Sequence, residues 1–145
     1  MTPPAPGATE NWTPDPLWPL FLRVLRESGR VEFVVVDQVP QVPGVTHPDD
    51  HALVDRSTGT IFLRASNSDG EMRASTGHEL WHLAEPHASE EEVETATALV
   101  MVPLSEAIAT RSRADVASLA ERILVDPDLI LTRLAYDAIS ERRAS

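Results

Sequence analysis

The chain has 145 residues, 42% of them hydrophobic, which is enough for one domain with a buried core and leaves little room for two. Only 5% are aromatic, so the core must be mainly aliphatic; the absence of cysteine excludes disulfides and thiolate metal sites and fits a reducing cytoplasm. A formal net charge of −11 disfavours non-specific nucleic-acid binding, although it suits a basic protein partner, and no apolar run is long enough to span a bilayer.

Residues 1–16, rich in Pro, Thr and Ala, read as a loosely packed or disordered arm in which Trp12 can pin to the body; they lack the pattern of a secretory signal. In "PLWPLFLRVLRES", Leu17, Leu20, Phe21, Val24 and Leu25 fall at helical spacing, which predicts an amphipathic helix from near Pro16 to near Gly29. "VEFVVVD" is β-branched and apolar, a short strand expected to be buried over much of its length. The prolines and glycine of "QVPQVPGVTHPDDH" make a loop. "ALVDRSTGTIFLRA" reads as a hairpin turning at Ser57, Thr58 and Gly59, and "SNSDG" as a second turn.

From there the pattern is helical. One helix is expected from about Arg73 to Glu85, stopped by Pro86. The next starts at "SEEE", where Ser89 and Glu92 form a capping box, and runs towards Pro103. "LSEAIATRS" and "ADVASLAERILV" continue as helices, and Asp126 with Pro127 starts the last one. Helix, strand, hairpin and then only helices predicts an α+β domain, a small, mainly antiparallel sheet packed on a helical half.

The chemistry concentrates in "STGHELWHLAEPHASEEEVETA". His78 and His82 are four apart, so a helix stacks their imidazoles on one face, within reach of a single cation. Glu79 lies beside the pair and can act as general base on a metal-bound water without filling a metal position. The hairpin before the motif can hold an extended peptide by strand addition. Catalytic zinc usually has three protein ligands. His87, beside Pro86 in a tight connection, is a weak choice for the third, and His47 and His51 read as loop histidines. Glu90, Val93, Glu94, Thr97 and Met101 share one helical face, so Glu90 heads a core-facing stripe where an unpaired charge is costly. Glu91 faces outward and Glu92 is explained by capping.

"RASTGHELWHL" resembles the R-F-T-x-A-H-E-L-G-H segment of the ImmA/IrrE family of metallopeptidases, and "EEEVETATALVMVPLSEA" resembles that family's next helix, E-x-E-A-N-x-F-A-x-x-L-L-M-P. The likeness runs from about Ile61 to Ala107, and "LAERILVDPDLILTRL" looks like the family's trailing, helix-turn-helix-like helices. It implies a zincin-like metallopeptidase domain over residues 17–112, with C-terminal helices 113–145 packed on the same domain. It also implies one zinc ion held by His78, His82 and a glutamate, with Glu79 as catalytic base. Glu90 is the preferred third ligand, and Glu94 and Glu92 are the alternatives.

The implied activity is a cytoplasmic endopeptidase in which zinc-bound water attacks a peptide carbonyl of a helix-turn-helix transcriptional repressor. The alternative is a non-catalytic anti-repressor that binds a regulator through the same fold. Direct DNA binding by the last helix is disfavoured by its three aspartates. Trp81 departs from the family's glycine and is expected to pack away from the histidine face. Thr97 and Ala96 in place of the family's Phe-Ala remove core volume that Trp81 can refill. Tyr136 and Arg73 are the candidates for stabilising an oxyanion.

Overall fold

α1 spans Leu17–Ser28 and ends where Gly29 turns left-handed (φ 73°), its N–H bonded to the Leu25 carbonyl at 2.7 Å. A computed structural model describes residues 15–144, so the expected arm and Trp12 lie almost wholly outside the described residues. Three strands follow, β1 (Glu32–Val36), β2 (Ala52–Asp55) and β3 (Thr60–Arg64), and then five helices: α2 (Asp69–Ala84), α3 (Glu90–Met101), α4 (Leu104–Ala109), α5 (Arg113–Ile123) and α6 (Pro127–Ala144). The class is α+β, as the pattern of elements predicts.

The sheet is mixed, not mainly antiparallel. β3 lies at its centre, paired antiparallel with β2 and parallel with β1. The hairpin reading holds for β2 and β3. β1 reaches β3 from the opposite side because the loop over residues 37–51 carries the chain across to the far edge, and periodicity carries no information about that crossing. β3 is the most apolar strand in its surroundings, with Ile61 and Leu63 buried. β1, expected to be largely buried, is instead an edge strand: Phe33 is 42% exposed and Val35 60%.

Two apolar clusters hold the fold. Leu20 and Val24 of α1, Ile61 and Leu63 of β3, and Leu80 and Ala84 of α2 form one. Ala98 and Met101 of α3, Ala107 of α4, Leu119 and Ala120 of α5, and Leu129 and Ile130 of α6 form the other, so the C-terminal helices share a core with α3. α2 serves both clusters, Ala74 packing against the second and Leu80 and Ala84 in the first, and between them Gly77 lies against α3. A Cβ there would stand 3.0 Å from the Leu17 and Met101 side chains and 3.1 Å from Thr97, so only glycine permits this approach without displacement.

α2 starts four residues earlier than expected. Ser68 caps it, accepting from the Glu71 N–H while the Glu71 carboxylate accepts from the Ser68 N–H. "SNSDG" therefore contains a helix start that a turn reading hides. α3 begins with its expected Ser89–Glu92 box.

Candidate metal centre

α2 and α3 place three sequence-predicted side chains together. His78 Nε2 and His82 Nε2 are 3.1 Å apart, and the Glu90 carboxylate reaches both, Oε2 at 2.9 Å from His78 Nε2 and Oε1 at 2.8 Å from His82 Nε2. The stacking of i and i+4 side chains sets the first distance, and the position of Glu90 at the first turn of α3 sets the other two. His78, His82 and Glu90 form a group that can hold a metal ion. Ligand bonds of about 2.0–2.1 Å in a tetrahedral site need donors roughly 3.3 Å apart. The three fall a few tenths of an ångström inside that spacing, and the Glu90 side chain, 77% exposed, is free to open it. That exposure corrects the expectation that Glu90 points into the core: it stands at the mouth of the cleft, while Val93, Thr97 and Met101 of the same stripe are buried.

The remaining glutamates separate by position. Glu92 is held in the cap. Glu94 accepts from His78 Nδ1 at 2.8 Å, which turns Nε2 toward Glu90 and His82, the side on which a cation would be held. Burial opposes charge on His78, but the bond to Glu94 and the neighbouring Glu79, Glu94 and Glu90 carboxylates outweigh it and raise its pKa. His82 is shifted down, chiefly by burial, with the charges of His78 and Arg56 acting in the same direction and Glu90 opposing them.

Arg56, from the β2–β3 turn, had no role in the sequence reading. Its Nη2 lies 3.2 Å from His82 Nδ1 and its Nη1 donates to the Pro86 carbonyl at 3.0 Å. A guanidinium only donates, so His82 Nδ1 is the acceptor here and the ring proton sits on Nε2, facing Glu90. Ligation through Nε2 requires the proton on Nδ1 instead, and Arg56 then has to turn away from the ring. No pattern in the sequence signals this contact, because it depends on the turn folding over the start of the α2–α3 connection.

Glu79 is only 9% exposed, and its carboxylate has no hydrogen-bond partner among the described residues. Desolvation, with smaller contributions from Glu90 and Asp50, raises its pKa to about 7 against the lowering effect of His78 and Arg56. It lines a cleft of about 1000 Å³ together with His78, His82, Glu90 and the length of β2.

Other expectations resolve differently. His87 is exposed and lines a separate small cleft with Trp81 and Ala96. His51 borders the main cleft, but its ring is engaged by Asn67 at 2.7 Å and lies 3.3 Å from Glu71. Trp81 packs with the first core cluster under the Arg23 guanidinium, 5.9 Å from its ring centre, away from the histidine face as expected. Neither oxyanion candidate borders the cleft: Arg73 bonds the Ile123 and Leu124 carbonyls and Asp15, and Tyr136 sits on α6.

Fold and site together define an α+β domain with a two-histidine, one-carboxylate group beside a buried glutamate. Comparison with protein-family models, with curated proteins and with solved structures finds no match to this chain.

Proposed function

We propose that the protein is a zinc-dependent endopeptidase of the ImmA/IrrE type. The observation that carries this reading is the meeting of His78 Nε2, His82 Nε2 and Glu90 within one cleft that Glu79 also borders. Two imidazoles and one carboxylate suit zinc. When bound, zinc supplies a Lewis acid and brings a water's pKa towards neutrality. His78 is held in its ligating orientation by Glu94. Glu79, made more basic by burial, takes a proton on a carboxylate oxygen near neutral pH and returns it to the departing amine.

β2 provides the rest. It is an edge strand, and the bond from the Arg64 N–H to the His51 carbonyl (2.9 Å) fixes which of its residues face β3. Bonded and non-bonded pairs alternate in an antiparallel ladder, so Ala52 and Val54 direct their N–H and C=O groups to the open edge. An extended peptide can pair there beside Glu79. A helix-turn-helix repressor as substrate rests on the family resemblance.

Metal analysis tests the reading. The purified protein should carry about one equivalent of zinc, the content of a mononuclear site. Glu79→Gln should keep the metal and lose cleavage. A folded, metal-free protein indifferent to chelators and to added zinc would overturn it. The net charge of −11 favours a second reading, a non-catalytic anti-repressor that sequesters a basic regulator. Relief of repression in cells by Glu79→Gln would select it.

A further inference from the structure

We propose that the cleft selects a basic, extended peptide, so that the partner protein is engaged through a segment rich in lysine and arginine. This rests on the peptide-binding part of the reading above and deepens it. Among the described residues, seven carboxylates line the cleft against a single guanidinium, Arg56. A bound dication and Arg56 together offset three of them. Four stand apart from the donor group, Asp50 and Asp55 at the two ends of β2, and Asp126 and Asp128 at the start of α6. None of the four is in an ion pair among the described residues. Backbone N–H groups position three of them: His47 donates to Asp50 at 2.8 Å, Ser57 to Asp55 at 3.0 Å and Asp128 to Asp126 at 2.9 Å.

Two features independent of charge indicate a ligand in the same place. The outward N–H and C=O groups of Ala52 and Val54, which point away from the β3 ladder, have no hydrogen-bond partner among the described residues. Glu79, nine-tenths buried and with no side-chain hydrogen bond among the described residues, borders the same space. A strand added to β2 presents alternate side chains to each side, and the carboxylates bordering the cleft favour cationic ones. The surplus negative charge rejects acidic segments and nucleic acid alike.

The test uses three unstructured peptides of equal length, rich in lysine, glutamine or glutamate. Each is titrated by fluorescence anisotropy into zinc-loaded Glu79→Gln protein, and cleavage by the wild type is followed by mass spectrometry. The lysine peptide should bind at least about tenfold more tightly than the glutamine peptide, with the gap closing as salt screens the rim. Asp126→Asn with Asp128→Asn keeps the helix start, because asparagine also caps. That pair should weaken lysine-peptide binding roughly fivefold and leave the glutamine peptide unchanged. Equal binding of lysine and glutamine peptides, or a lysine preference untouched by the rim substitutions, would overturn the proposal. Cleavage without charge preference would remove it and keep the peptidase. Charge-selective binding without any cleavage would keep it and remove the peptidase.

Discussion

His78 and His82 carry the same side chain in opposite surroundings, a carboxylate behind one ring and a guanidinium behind the other. Glu94 stabilises the Nδ1–H form of His78 that ligation needs, so Glu94→Ala should weaken zinc binding roughly ten- to a hundredfold. Arg56 stabilises the wrong tautomer of His82. Arg56→Gln, whose amide oxygen can accept from Nδ1–H, should tighten zinc on the order of tenfold. Competition against a chromogenic chelator reads both changes, and equal signs would refute the tautomer assignment. Glu79 gives a pH prediction. Its folded pKa of about 7 lies above the ordinary 4.5, so between those values the folded state binds more protons than the unfolded one. Stability of the chelator-treated protein should therefore fall as pH rises from about 4.5 to 7 and level off above. The ceiling is about 3 kcal/mol for a group this buried. Glu79→Gln removes that loss, and the difference between variant and wild type in urea unfolding at pH 5 and pH 8 isolates it from the histidines. A variant no more stable than wild type at pH 8 would show that Glu79 is not strained by burial.

At the level of elements, the donor spacing is set by how closely α2 and α3 approach, and Gly77 sets that approach. Gly77→Val puts branched carbons where the first Cβ already meets Leu17, Met101 and Thr97. Overpacking of this kind costs typically 1–3 kcal/mol. Because it pushes His78 away from Glu90, zinc affinity should fall as well, which urea unfolding and chelator competition measure separately. Much of this level was legible in the sequence: α1 between Pro16 and Gly29, the hairpin of β2 and β3, and the Ser89 cap that places Glu90 in the first turn of α3. Each depends on residues close together in the chain. What escaped depends on distant ones. The parallel pairing of β1 with β3 needs the path of the loop over residues 37–51, and the exposure of Val35 follows from its edge position. Arg56 meets His82 only through the folded turn. The Ser68 cap is a different failure, since its S-x-x-E signature was present and Gly70 disguised it as a turn. The histidine pair with Glu79 beside it was readable, as were the glutamates that surround it. Glu92 in the cap and Glu90 with the histidines were already assigned from the sequence, although Glu90 was expected to point inward; the place of Glu94 behind His78 needed the rotation of α3.

Across the whole molecule, the donor group lies on the seam between the two cores. His78 and His82 belong to α2, whose Leu80 and Ala84 pack in the first cluster, and Glu90 belongs to α3, whose Ala98 and Met101 pack in the second. A cation bound by all three ties the clusters together and exists as a site only in the folded chain. Its binding energy is then folding energy: free zinc at a thousand times Kd adds about 4 kcal/mol. For a chain of this length 1 kcal/mol moves Tm by roughly 2–4 °C, so saturation should raise Tm by about 10 °C. Chelation should reverse the rise without unfolding the protein, because Ile61, Leu80, Leu119, Leu129 and Ile130 are fully buried without help from the ion. Glu90→Ala separates the two effects. Its side chain is mostly exposed and packs in neither core, so the chelated variant should melt near the chelated wild type while losing most of the zinc-dependent rise. Calorimetry with and without zinc on both proteins decides it. An unchanged wild-type Tm at saturating zinc would mean that the three donors do not act as one site, and an undiminished rise in Glu90→Ala would assign the third ligand to another residue.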